Sequence, residues 1–141
     1  VLNLMLNYEI EQAEEKAIRV KCAVEAYHCP VDETELCIII GNLFDNAIEA
    51  VKDLPDEQRQ IDFSIQNPNG IFRIEMSNPY EDERRKVEHH YLTTKKENTE
   101  MHGLGLMSVQ KIVEKYDGLM EISDTDNVFK VIVIFFVRGN D

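Results

Sequence analysis

Long apolar runs are missing from this sequence. The longest, Val131–Val137, is far short of the roughly 20 residues that a membrane helix needs, so no membrane contact is expected of this segment. Cysteine is scarce as well. Cys22, Cys29 and Cys37 are odd in number and form no Cys-x-x-Cys pair, which speaks against a disulfide framework and for reduced thiols in a cytoplasmic setting. Basic residues are in deficit, 15 Lys and Arg against 27 Asp and Glu, for a net charge of −12. A chain this acidic has no general basic field with which to bind nucleic acid. Any polyanion has to be held locally, by backbone N–H groups, a few cations and a divalent metal. No signal peptide opens the sequence. It begins at Val1 rather than Met, and the natural protein is expected to extend further N-terminally.

The composition suits one globular unit. Hydrophobic residues make up 43% of 141, enough for a single core, and residues 1–141 are expected to form one domain. Leu2, Met5, Leu6, Ala13 and Ala17 predict a helix to about Lys16, and the alternation of Ile18, Val20, Cys22 and Val24 a strand over Ile18–Ala26. Pro30 breaks the pattern, and Asp32 or Thr34 can cap the helix after it. From Glu33 to Asp53, Leu36, Ile40, Leu43, Ala47 and Val51 recur at spacings of three and four, one buried face of a helix. Ile61, Phe63 and Ile65, then Phe72, Ile74 and Met76, alternate on either side of Asn67-Pro68-Asn69-Gly70 and predict a hairpin that stops at Ser77-Asn78-Pro79.

The next stretch is different. Residues from about 80 to 102 are dense in charge and poor in apolar periodicity, the composition of a functional lid or of disorder. A helix carrying Leu106, Val109, Ile112, Val113 and Tyr116 on one face comes next, with Gly118 placed to end it. The last hairpin, Leu119–Ser123 and Val128–Val137, has a second strand apolar on both faces, as an interior strand would be. The predicted order is α-β-α-β-β-lid-α-β-β. That order gives an α/β fold, a two-layer sandwich with a mixed sheet and helices on one face.

Two polar features stand out. Asn42, Asn46 and Glu49 lie at i, i+4 and i+7, within an arc of roughly 60° beside the apolar face of their helix. Asparagine is a mediocre helix former, so two in mid-helix ask for a reason. A side-chain amide offers a carbonyl oxygen to Mg²⁺ and an NH₂ to a phosphate oxygen. A solvated helix face is the plainer alternative. The second feature is His102-Gly103-Leu104-Gly105-Leu106 at a helix start, where first-turn N–H groups favour an anion. It lacks the Gly-Lys-Ser/Thr of a phosphate-binding P-loop and the third glycine of a dinucleotide fingerprint.

Together these stretches resemble the GHKL ATPase superfamily of gyrase, a heat-shock chaperone, histidine kinases and the mismatch-repair protein MutL. Asn42-Leu43-Phe44-Asp45-Asn46-Ala47-Ile48-Glu49-Ala50 looks like the family's N box, and Met101-His102-Gly103-Leu104-Gly105-Leu106 like its second glycine box. Thr94-Lys95 looks like the end of an ATP lid. The wording is most similar to sensor histidine kinases that detect secreted peptides in Gram-positive bacteria. The resemblance implies the Bergerat fold, with ATP and Mg²⁺ as cofactors. It implies that Asn46 ligates Mg²⁺ and that Asn42 meets phosphate or metal. Lys95 would reach a phosphate, Asn42 and Lys95 would serve catalysis, and the amides near Gly103 and Gly105 would cradle the triphosphate. Glu49, Thr94, His102, Leu104 and Leu106 complete the implied ATP site.

Two departures shape the expected chemistry. The usual first glycine box, Asp-x-Gly-x-Gly, is replaced by Met76-Ser77-Asn78-Pro79-Tyr80, so Asn78 would stand where the family's Asp accepts the adenine amino proton, or would merely cap the strand end. Hydrolytic members carry a Glu one helical turn before the metal Asn; here that position is Asn42, which cannot act as a base at pH 7. Phosphoryl transfer to a histidine fits better than hydrolysis. None of His28, His89, His90 and His102 lies in the helical pattern of a phosphoacceptor. The acceptor is therefore expected on the chain's own or a neighbouring dimerisation domain, with a response regulator downstream and a membrane-anchored sensor as parent. A degenerate nucleotide-binding scaffold without transfer activity is the alternative. A zinc site built on His89 and His90 fits no known ligand spacing.

Overall fold

The computed structural model describes residues 2–25, 28–81 and 103–137. Helix α1 (Leu2–Glu14) is followed by β1 (Arg19–Val24), α2 (Glu33–Val51), a short 3₁₀ turn (Asp56–Gln58), β2 (Gln60–Gln66) and β3 (Ile71–Pro79). After residues 82–102, which lie outside the described set, come α3 (Gly103–Lys115), β4 (Leu119–Thr125) and β5 (Val128–Phe136). The five strands form one sheet in the order β1-β2-β3-β5-β4. Only β1 and β2 run parallel, and α2 is the crossover such a pair requires. The remaining pairs are antiparallel, so the sheet is mixed, as the element order predicts.

Strand alternation decides which face the helices cover. Ile61, Phe63 and Ile65 of β2, Phe72, Ile74 and Met76 of β3, and Phe129, Val131, Val133 and Phe135 of β5 are all buried. Their neighbours along each strand are at least partly open to solvent. Helix α2 supplies the other half of this core through nine buried residues, among them Leu36, Ile40, Leu43, Phe44 and Ala47. The Phe44 and Phe63 rings meet at 5.2 Å between centroids. β5 sits between β3 and β4, which accounts for a strand apolar on both faces.

Element ends follow local chemistry, with three differences from the sequence prediction. Asp32 caps α2, its carboxylate accepting from the Thr34 N–H at 3.1 Å, and Glu33 and Glu35 complement the helix dipole behind it. β3 runs on through Asn78 to Pro79, because Pro79 pairs with Val128 at the start of β5 and needs no N–H of its own there. The last turn narrows to Asp126-Asn127, both at positive φ, the geometry whose twist matches a two-residue hairpin. Gly118 is not the left-handed residue that ends α3. Asp117 takes that conformation (φ 56°), while the Gly118 N–H reaches back to the Val113 carbonyl at 2.8 Å. Ala17 and Ile18 close α1 in the same way.

Glu9 is an acid inside the seam between α1 and α2. It is buried, and its Oε2 lies 3.9 Å from where a Cβ on Gly41 would stand. Burial, and after it the charge of Asp45, push its pKa up to about 7. The protonated form therefore stabilises the fold fully below the ordinary carboxylate range, and that contribution is lost as pH rises through 7. Glu9→Gln, neutral at every pH, is expected to melt above wild type at pH 8 by an equivalent of roughly 1–3 kcal/mol. The gap should close by pH 5, and a gap of equal size at both pH values would contradict this account.

Candidate functional site

The polar stripe of α2 faces the first turn of α3. Asn42, Asp45, Asn46 and Glu49, with Gly105 and Leu106, line an open cleft of about 310 Å³. The stripe arises because the apolar face of α2 is held by the sheet, which turns residues 42, 45, 46 and 49 away from the core. Asn42 is oriented by its own helix. Its Nδ2 donates to the Ile38 carbonyl at 3.0 Å, which leaves Oδ1 to accept from, or ligate, something else. Gly105 comes so close that an added Cβ would stand 3.2 Å from this Oδ1. Any larger residue at 105 would crowd the amide.

Charge in the cleft is negative. Asp45 contributes a carboxyl whose pKa burial pushes above its ordinary value. Glu49 contributes a second and pairs with Lys52 at 2.9 Å. Asn46 sits half-buried one turn after Asn42. The lining holds oxygen donors from two amides and two carboxylates and, among the described residues, no cation, which makes a poor site for a bare polyphosphate. These donors suit hard divalent cations, which take oxygen ligands. The first-turn N–H groups of α3 at Gly103, Leu104 and Gly105 are unpaired within the helix and carry its positive dipole end. The residues present thus fit a metal–nucleotide, whose cation would offset the carboxylates and whose phosphates would meet the helix end.

Of the sequence-derived candidates among the described residues, the structure brings most together. Asn42, Asn46, Glu49, Gly105 and Leu106 share the cleft, Leu106 as a buried apolar wall. Gly103 and Leu104 form the first turn of α3. Thr94, Lys95 and His102 lie outside the described residues, as do His89 and His90. Among the described residues no group of His, Cys, Asp and Glu has the arrangement of a metal cluster. Asn78 does not line this cleft. It is 2% exposed, on the covered face with Met76 and Ile74, and its Nδ2 donates to the Pro79 carbonyl at 3.0 Å. It borders a second depression of about 270 Å³ with Gln60, Asp62 and Ser77 among others. Those three side chains alternate onto the open face, so the depression and the Asn78 amide belong to opposite sides of the sheet. Asp45 is a lining residue that sequence reasoning misses. Its helical position, on the same arc as Asn42 and Asn46, is the available signal.

A family model described as the GHKL domain matches residues 31–135, from just before the α2 cap to the last residues of β5. The chain belongs to the GHKL family. Among curated relatives, this GHKL chain is 26% identical over 106 residues to the Probable C4-dicarboxylate sensor kinase of Halalkalibacterium halodurans, covering 74% of the chain. It is 26% identical over 117 residues to the sensor histidine kinase DpiB of Escherichia coli, covering 79%. It spans about a fifth of the length of each, 20% and 21%. The GHKL fold is matched by the catalytic domain of histidine kinase ThkA, with TM-score 0.66 at 19% identity over 96% of this chain and 93% of that one. The mycobacterial sensor histidine kinase MprB matches with TM-score 0.69 at 16% identity over 97% and 96%. The mixed sheet with helices on one face is thus the architecture of histidine kinase catalytic domains.

Proposed function

We propose that this chain is the catalytic domain of a sensor histidine kinase. It binds Mg·ATP and passes the γ-phosphoryl group to a histidine on a separate dimerisation domain. The observation that carries the reading is the approach of Gly105 to Asn42 Oδ1, which puts an amide oxygen of α2 opposite the N-terminal turn of α3. The phosphates would lie between the two, on the backbone N–H groups of residues 103–105. Mg²⁺, when bound, supplies charge neutralisation on the phosphate oxygens. Asn46 and Asn42 would hold it through their amide oxygens, and Asp45 and Glu49 would add negative charge around it.

The same residues argue against hydrolysis as the main outcome. Asn42 occupies the position a general base for water would need, and an amide accepts no proton at pH 7. An imidazole nucleophile needs no such base, so positioning and charge stabilisation suffice. Asn78 would meet the adenine edge through its amide oxygen, and Lys95, Thr94 and His102 would contribute contacts to the phosphates.

The test is transfer in trans. The chain, incubated with Mg·[γ-³²P]ATP, should label a supplied dimerisation domain that carries the phosphoacceptor histidine, and should not label itself. Stable label on His28, His89, His90 or His102 would overturn the domain assignment. Mg·ATP binding without transfer to any supplied acceptor would favour a scaffold in place of a kinase.

A further inference from the structure

The far end of α3 is wired into the cap of α2. In a standard capping box the residue at the third helical position reaches back to the N-cap N–H. Here Asp32 is the N-cap and Glu35 the third position, but a side chain from beyond another helix stands between them. The Asp32 N–H donates to the Tyr116 hydroxyl at 3.2 Å, and that hydroxyl donates in turn to Glu35 Oε1. Lys115, beside it, donates to Glu35 Oε2 at 2.9 Å. Both acceptor oxygens of Glu35 are thus taken by the last turn of α3 and the residue after it. The hydrogen bond from Tyr116, and after it that from Lys115, hold the Glu35 carboxyl below the usual carboxylate range. The Tyr116 ring is fixed edge-on against Phe135 of β5, at 5.9 Å and 78°.

We infer that Tyr116 and Glu35 are positioning residues for the phosphate site, holding α3 in the axial register that sets Gly105 against Asn42. The inference rests on the proposed Mg·ATP reading. A helix is stiff along its axis, so a slip at Tyr116 is carried to Gly105, about 16 Å away at 1.5 Å per residue. Gly105 has little room for such a slip, since the site for its Cβ is already only 3.2 Å from Asn42 Oδ1. Misplacement on the order of 1 Å in a positioned site costs binding and rate far from the altered residue. Tyr116, with its ring held by β5 and its hydroxyl by the cap, ties the position of one helix to the start of the other.

The experiment compares Mg·ATP with adenosine, which shares the base and sugar but has no phosphates to feel α3. Tyr116→Phe keeps the ring on Phe135 and removes only the hydroxyl. It should weaken Mg·ATP about tenfold while changing adenosine affinity by less than about twofold, both followed by NMR titration. Glu35→Ala should repeat that pattern, and Glu35→Gln, which keeps an acceptor for the hydroxyl, should recover part of the loss. Wild-type affinity for Mg·ATP in both Tyr116→Phe and Glu35→Ala overturns the inference. So does an equal loss for adenosine, which would mean general loosening. Failure of the unaltered chain to bind Mg·ATP overturns the nucleotide reading itself, and is seen before any variant is compared.

Discussion

Asn46→Ala is expected to weaken Mg·ATP binding about 30-fold or more, equivalent to roughly 2 kcal/mol for one lost interaction with a charged partner. The reason is the sign of the charge around the cleft. Asp45 and Glu49 flank Asn46, no cation stands in the lining among the described residues, and the chain as a whole carries −12. A triphosphate entering alone would meet repulsion that the N-terminal turn of α3 opposes only in part. The divalent cation reverses that balance, and Asn46 is the amide in the cleft not committed to a main-chain carbonyl of its own helix, as Asn42 is to Ile38. Removing the metal with a chelator should therefore cost the unaltered chain about as much as the substitution does. Calorimetric titration with and without Mg²⁺ measures both. Equal affinity of Asn46→Ala and wild type in Mg²⁺ would remove Asn46 from the metal site. Tight binding of ATP in the presence of the chelator would sink the charge account as a whole.

The second large effect is on stability. Gly118→Ala should lower unfolding free energy by roughly 2–4 kcal/mol, because its Cβ would meet backbone that cannot yield. That carbon would stand 2.5 Å from the Ile134 carbonyl oxygen and 2.9 Å from Phe135 Cδ1. Relief requires moving either β5 or the turn between α3 and β4. Moving the turn breaks the bond from the Gly118 N–H to the Val113 carbonyl, which closes α3. Gly41→Ala is the internal contrast. Its added Cβ would meet Met5 Cε at 2.9 Å, the end of a flexible side chain that can swing aside. That variant should lose less than about 1 kcal/mol, consistent with a mild overpacking that the seam absorbs. Urea unfolding of the two variants decides the point. A Gly118→Ala protein within about 0.5 kcal/mol of wild type would show that the close approach is not structural.

The residues behind both effects are visible in the sequence, for reasons that are only partly visible there. The two asparagines stand out because their spacing fits the helical turn and their propensity argues against a mid-helix position. Gly105 reads as an anion contact because it precedes a run of apolar helix positions. Its approach to Asn42 is not legible, since a long stretch of chain separates them and only the packing of α3 on α2 closes the distance. Asp45 escapes notice for the opposite reason. An acidic residue in a highly acidic chain carries little information until the sheet fixes which way the helix is turned. Sequence patterning puts Gly118 at the right helix end but in the wrong task, because a left-handed residue and a residue crowded by a neighbouring strand both favour glycine.

The sequence by itself determined the element order, the buried faces, the interior place of β5 and the composition of the polar stripe. Those depend on periodicity and turn chemistry, which act over a few residues and so are written locally. The tertiary structure alone decided that Gly105 meets Asn42, that Asn78 lies apart from the Asn42–Asn46 cleft, that Glu9 is an acid in a buried seam, and that Tyr116 completes the cap of a helix 84 residues upstream. Each of these is a contact between distant stretches of chain. Such contacts are set by the packing of rigid elements, which no local pattern encodes.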